Sequence, residues 1–196
     1  SHLINVLLYA LVVILIYRIL NSSRRASWQL AFVVALLFAL HPIHTEAVTN
    51  IKGRDEILAM LFALLAAQWL LFAKQPQWLI YPGAALMLFL AMLSKEHAIA
   101  FVVLVPLAMF YLKQSNTKIR KSTLALLIPA LLFIFIRYEV LGGMQITQSG
   151  SLMNNPFVEM TTPQKYATIL LTWLWYLKLL IFPHPLTYDY YPYHVP

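Results

Sequence analysis

Two histidines, three carboxylates, a lysine and an arginine fall within HPIHTEAVTNIKGRDE, His41 to Glu56, between two almost wholly apolar stretches. A second cluster, Ser94-Lys95-Glu96-His97, and a third, Arg137 with Glu139, repeat the pattern of a cation beside a carboxylate. Such pairs suit an anionic group held at an interface: Lys or Arg neutralises a phosphate and stabilises it as a leaving group. A nearby carboxylate can take the proton from an attacking hydroxyl. Plainer roles compete. Asp55 and Glu56 suit the positive end of a helix that opens there, and Lys95 can reach lipid headgroups or pair with Glu96. His41-x-x-His44-x-Glu46 offers two imidazoles and a carboxylate, adequate ligands for zinc. The spacing matches no strong metal signature, so hydrogen bonding is expected of these groups and a divalent metal is not. If His44 to Lys52 is helical, Glu46 and Asn50 share a face, and the segment can lie across the mouth of a bundle.

The elements that must carry these residues are membrane helices. The chain is 61% hydrophobic and 11% charged, with mean hydropathy +0.73, against about 25% charged in soluble domains. Apolar runs cover residues 3–20, 28–40, 57–72, 79–93, 98–112 and 123–136. Several fall short of the roughly 20 residues that cross a bilayer, so flanking turns must complete them. A seventh run, 166–183, contains Lys178 and reads as a span or an interfacial helix. The expectation is an all-α, polytopic transmembrane bundle of six to seven spans. Residues 137–165 would form a long extracytoplasmic loop, and 166–196 an amphipathic or membrane helix with an aromatic end.

Charge assigns the sides. The linkers after the first, third and fifth runs hold Arg24 and Arg25, then Lys74, then Lys113, Lys118, Arg120 and Lys121, with no acidic residue. By the positive-inside rule these face the cytoplasm. All seven carboxylates then lie on the outer side, with His41, His44, His97, His184 and His194, and the acid, base and ligand candidates share one face. The net charge of +7 reflects inner basic loops beside anionic lipid, and no nucleic-acid partner is expected. With no cysteine, thiol chemistry is excluded. No glycine-rich phosphate loop is present, which disfavours a cytoplasmic nucleotide-sugar enzyme. A lipid-linked phosphate, tail in the bilayer and head at the interface, fits outer cations beside carboxylates. That is the machinery of a glycosyltransferase using a polyprenyl-phosphate sugar as donor substrate.

HPIHTEAVTNIKGRDEILAMLF, LAMLSKEHAI, NNPF and TILLTWLWYLKLLIFPHPLTYDY occur in this order. They resemble successive motifs in the membrane part of the TMTC-type O-mannosyltransferases and their bacterial tetratricopeptide-repeat relatives, and SHLINVLLYAL resembles a helix that follows the first outer loop there. The resemblance implies a GT-C fold with its site in extracytoplasmic loops, a polyprenyl-phosphate-linked hexose of mannose type as donor, and inversion at the anomeric carbon. Its motif positions here are His41, His44, Glu46, Arg54, Lys95 and Glu96. Arg54 and Lys95 are expected to hold the donor phosphate with Arg137 in support. Glu46, and Asp55 in a supporting role, are the catalytic carboxylates, and His41, His44, Glu96 and His97 contact substrate. The family's first outer loop, bearing its general base, and its repeat domain, which could meet an acceptor protein, are expected outside this stretch.

The implied setting is a bacterial inner membrane with a periplasmic active face, or the endoplasmic reticulum with a lumenal one. Two other functions fit outer cations, a lipid-linked sugar transporter and a non-catalytic membrane scaffold. A transporter calls for charged or broken helices near the midplane, where Lys178 is the candidate. Asn155, Pro156 and Phe157 read as a turn, Asp189 as a possible ligand carboxylate, and Pro82, Pro106 and Pro129 as helix architecture.

Overall fold

The computed structural model describes residues 2–23, 25–140, 157 and 160–184. Every regular element among them is helical. A bilayer demands this of a chain whose backbone N–H and C=O groups find no water there. The helices are α1 (His2–Ser22), α2 (Trp28–Leu40), α3 (Thr45–Thr49), α4 (Arg54–Phe72), α5 (Gln77–Ser94), α6 (Phe101–Tyr111), α7 (Asn116–Val140) and α8 (Thr162–Ile181). Short 3-10 turns at Pro42–His44, Ile51–Gly53 and Glu96–Ala100 join α2 to α3, α3 to α4 and α5 to α6. Apart from α3, each helix falls on one of the seven apolar runs.

Among the described residues, α1, α4 with its preceding turn, α5 and α7 are long and apolar enough to cross a membrane. A fifth crossing exists if α2 and the segment Pro42–Thr49, bent by 50° from it, form one broken span. Four to five helices thus qualify where six to seven spans were expected. At 1.5 Å per residue, the 13 residues of α2 and 11 of α6 rise only about 20 and 16 Å, against a core about 30 Å thick. The loop expected over 137–165 also begins and ends inside helices. α7 continues through Val140, and α8 starts at Thr162, where the Gln164 side chain accepts from the Thr161 amide at 3.0 Å.

The chain forms two compact units, Ser1–Gly143 and Met144–Pro196. In the first, α4 packs against α1 and α5, and α7 packs against α5 and α6. Half of the α4 span is buried, against 17% of α1 and 22% each of α5 and α7, so α4 is the central helix. Its small residues Ala59, Ala63 and Ala66 share a buried cluster with Ala84, Leu88 and Ala91 of α5. Lipid is as apolar as leucine, so helices in a bilayer gain from close backbone approach rather than from hydrophobic burial, and alanine permits that approach. Gly83 of α5 goes further, since a Cβ there would run into the Trp69 ring of α4.

Arg25, Lys118 and Lys121 of the basic linkers lie at one end of this unit. The Lys118 ammonium and the Gln114 amide both donate to the Leu71 carbonyl at the end of α4, at 3.2 and 3.1 Å. Lys121 Nζ reaches Gln77 Oε1 at 3.1 Å, and Arg25 lies over the Tyr111 ring. The start of α4 and the ends of α5 and α7 meet at the opposite end, where Asp55, Glu56 and Glu96 lie. The second unit holds α8, with Lys178 in its last turn.

Candidate functional site

Pro42 has no backbone N–H and cannot continue α2. The chain turns at His41, whose Nδ1 accepts from the Ile43 amide at 3.2 Å. It forms the single-turn helix α3, then turns again at Asn50, whose Oδ1 accepts from the Lys52 amide at 3.0 Å. The expected helix across His44 to Lys52 is therefore broken into α3 and two flanking turns. Gly53 closes this path: a Cβ there would strike the Ala47 backbone, so the second turn lies directly on α3. α4 then opens with Asp55 and Glu56 in its first turn, where the helix dipole favours negative charge. Asp55 Oδ1 accepts from the Glu56 amide at 2.8 Å.

Lys95 follows the last residue of α5 in an extended conformation. Its ammonium stands between two carboxylates, 3.0 Å from Asp55 Oδ2 and 2.9 Å from Glu56 Oε1. Glu56, and Asp55 after it, therefore hold the ammonium above the ordinary lysine value. His97 Nε2 lies 3.2 Å from the other oxygen of Glu56. Lys95 thus pairs across the bundle and not with its neighbour Glu96, which pairs with Arg137 at the end of α7. Arg54 Nε donates to Asn5 Oδ1 of α1 at 3.1 Å.

Lys95, Asp55, Glu56 and His97 border a cavity of about 630 Å³, whose wall also includes Tyr9, His44 and Glu46. The Tyr9 hydroxyl donates to the Phe38 carbonyl at 2.9 Å. The Phe38 and His44 rings lie 4.2 Å apart, centroid to centroid, an aromatic flank beside the charged groups. Of the residues expected from the sequence, His44, Glu46, Asp55, Lys95 and His97 are thus brought together. His41 caps the turn beneath, and Arg54, Glu96 and Arg137 stand outside the lining. Asn155, Pro156, Glu159, Asp189 and His194 lie outside the described residues. Phe157 sits in a turn, with the Lys165 ammonium 5.6 Å from its ring centroid.

Tyr9 and Glu56 also line the cavity, Asn5 is buried behind Arg54, and none of the three was among the expected site residues. Asn5 and Tyr9, four apart in an otherwise apolar stretch, fall on one helix face, and that spacing was the available signal. Among the described residues no three His, Asp or Glu side chains converge as a metal would require. Chemically, a cation held between carboxylates beside aromatic rings suits a ligand bearing both hydroxyls and an anionic group.

A family described as dolichyl-phosphate-mannose-protein mannosyltransferase matches residues 2–138. The chain belongs to this family. Over 193 residues, 96% of its length, it is 28% identical to protein O-mannosyl-transferase F38B6.6 of Caenorhabditis elegans. It is 29% identical over 202 aligned positions, again 96% of its length, to protein O-mannosyl-transferase Tmtc2 of Drosophila melanogaster. A 65-residue stretch is 48% identical to human protein O-mannosyl-transferase TMTC1. The expected resemblance to TMTC-type proteins holds. This mannosyltransferase-family chain spans 26% of the nematode relative, 21% of the fly relative and 7% of the human one. No solved structure matches it.

Proposed function

We propose that this chain is the donor-binding membrane part of a glycosyltransferase. The enzyme would move a mannose-type hexose from a polyprenyl phosphate to a hydroxyl, that of a protein Ser or Thr, on the extracytoplasmic face. The observation that carries this proposal is the cavity at the acidic end of the bundle, with Lys95 between Asp55 and Glu56 on its wall. Family membership and the relatives' names support the reaction class. In this proposal α2, α6 and α8 complete a GT-C arrangement of six to seven spans.

The acceptor oxygen attacks the anomeric carbon from the side opposite the phosphate, with inversion. The bond from that carbon to the phosphate oxygen breaks, and its electron pair leaves with the polyprenyl phosphate. The hydroxyl proton passes to a carboxylate base, and Glu46 and Asp55 on this wall support that transfer. An ammonium has three N–H donors, and two of those on Lys95 are engaged. The third, with the Arg54 guanidinium, meets phosphate oxygens, and Arg137 adds positive charge from α7. His41, His44, Glu96 and His97 orient sugar and acceptor hydroxyls.

The test uses the full-length parent protein in bilayer discs, with radiolabelled polyprenyl-phosphate mannose and a Ser/Thr-rich acceptor pool. Wild type is compared with Lys95→Ala and Arg54→Ala. Transfer by the wild type that collapses in both variants, with unfolding midpoints retained, supports the donor site. Absence of transfer from mannose and other polyprenyl-phosphate donors ends the proposal and favours transport.

A further inference from the structure

Asn5 and Ser122 are the fully buried polar side chains among the described residues. Asn5 lies in the first turns of α1, and every hydrogen-bonding group of its amide is used. Nδ2 donates to the carbonyls of Val48 at 3.3 Å and Asn50 at 2.9 Å, and Oδ1 accepts from Arg54 Nε at 3.1 Å. The Val48 carbonyl would be paired with the Lys52 amide in a continuous helix, but that amide bonds Asn50 Oδ1 instead. Asn5 thus supplies what the broken helix leaves unpaired, and an unpaired buried carbonyl is costly. One turn further along α1, the Tyr9 hydroxyl binds the Phe38 carbonyl where α2 ends. A single face of α1 therefore grips both ends of the bent segment between α2 and α4.

The same amide restrains a cation. Arg54 is bonded through Nε, which leaves both terminal NH2 groups of the guanidinium as a fork. An arginine side chain otherwise samples many rotamers, and fixing it before binding lowers the entropic cost of gripping a phosphate. We infer, resting on the donor site proposed above, that Asn5 is a positioning residue: it holds the turn before α4 and sets the Arg54 guanidinium for one phosphate group.

The full-length protein in bilayer discs tests this with wild type, Asn5→Leu, Asn5→Asp, Arg54→Gln and the double variant Asn5→Leu/Arg54→Gln. Donor KM, kcat and unfolding midpoint are measured for each, with polyprenyl-phosphate mannose as the probe. Asn5→Leu should raise donor KM about tenfold and leave kcat within about twofold. Asn5→Asp keeps an acceptor for Arg54 and should hold KM within about threefold, while its midpoint falls because the Val48 carbonyl loses its donor and the Asn50 carbonyl keeps only the Gly53 amide. In the Arg54→Gln background, Asn5→Leu should add no further rise in KM. Equal KM penalties in the Leu and Asp variants, or a Leu penalty undiminished without Arg54, overturn the inference and leave Asn5 a structural strut. A wild type that transfers nothing overturns the donor site separately. The midpoints then decide Asn5: non-additive effects of Asn5→Leu and Arg54→Gln retain the clamp, and additive effects remove it.

Discussion

Replacing Lys95 by alanine separates the two roles its ammonium can play at the start of α4. Structurally, contacts of 3.0 and 2.9 Å disappear. The three side chains are 36, 42 and 39% exposed, so water screens the pairs and each contributes only ~0.2–1 kcal/mol. Asp55 and Glu56 are left as neighbouring like charges, but at the positive end of α4, which offsets ~0.3–1 kcal/mol for each. The net loss is ~1 kcal/mol, a fall of about 2–4 °C in unfolding midpoint for a chain of this size. The catalytic loss is far larger if the ammonium meets the phosphate as it leaves. Removing one such donor costs about 10²- to 10³-fold in kcat. The assay is radiolabelled transfer in discs, with the midpoint measured on the same samples. A kcat within about threefold of wild type would show that Lys95 is a strut and not a phosphate ligand. A midpoint drop beyond about 10 °C would show that solvent screening has been overestimated.

The pH dependence has a definite sign. Glu56 and Asp55 raise the folded-state pKa of Lys95. Its stabilisation is therefore complete below the unfolded lysine value of about 10.4, and is lost as pH rises through the higher folded value. Transfer rate and midpoint should show no Lys95-dependent transition between about pH 6 and 9, and the wild-type and Lys95→Ala midpoints should converge only in strong alkali.

Gly53→Ala should destabilise by ~1–3 kcal/mol, because its methyl meets the Ala47 backbone, which can yield only by moving α3. Gly83→Ala should cost less, since the obstacle is the partly exposed Trp69 ring; unfolding midpoints of the two variants check the order. Tyr9→Phe should lower stability by ~1 kcal/mol through loss of its bond to the Phe38 carbonyl, and should raise hydrogen exchange at the turn following α2. Arg137→Gln breaks a pair whose side chains are 47 and 56% exposed, so the midpoint should move by no more than about 2–4 °C. A several-fold rise in donor KM in that variant would support the role of Arg137 near the phosphate.

The apolar runs placed seven helices correctly because a bilayer leaves the backbone few other ways to satisfy its hydrogen bonds. Charge also sorted the chain: Arg25, Lys118 and Lys121 of the basic linkers lie at one end of the first unit, and Asp55, Glu56, Glu96 and Arg137 lie at the other. The proline after His41 and the carboxylates at the start of α4 marked the boundaries of the bent segment. These are local consequences of composition, of a missing N–H and of a helix dipole.

The partners of the charged groups were decided by packing. Sequence proximity offered Glu96 to Lys95, yet the ammonium crosses to Asp55 and Glu56, 40 and 39 positions away. Glu56 looked like a helix-end residue and is also a bridge to both Lys95 and His97. Asn5 looked like an isolated polar residue in a membrane helix and proves to be fully buried against the Val48–Arg54 segment. Composition and period fix where a helix forms and how its residues are spaced. Which neighbour a side chain meets depends on how each helix is rotated against the next, and the close approach of α1, α4 and α5 determines that rotation.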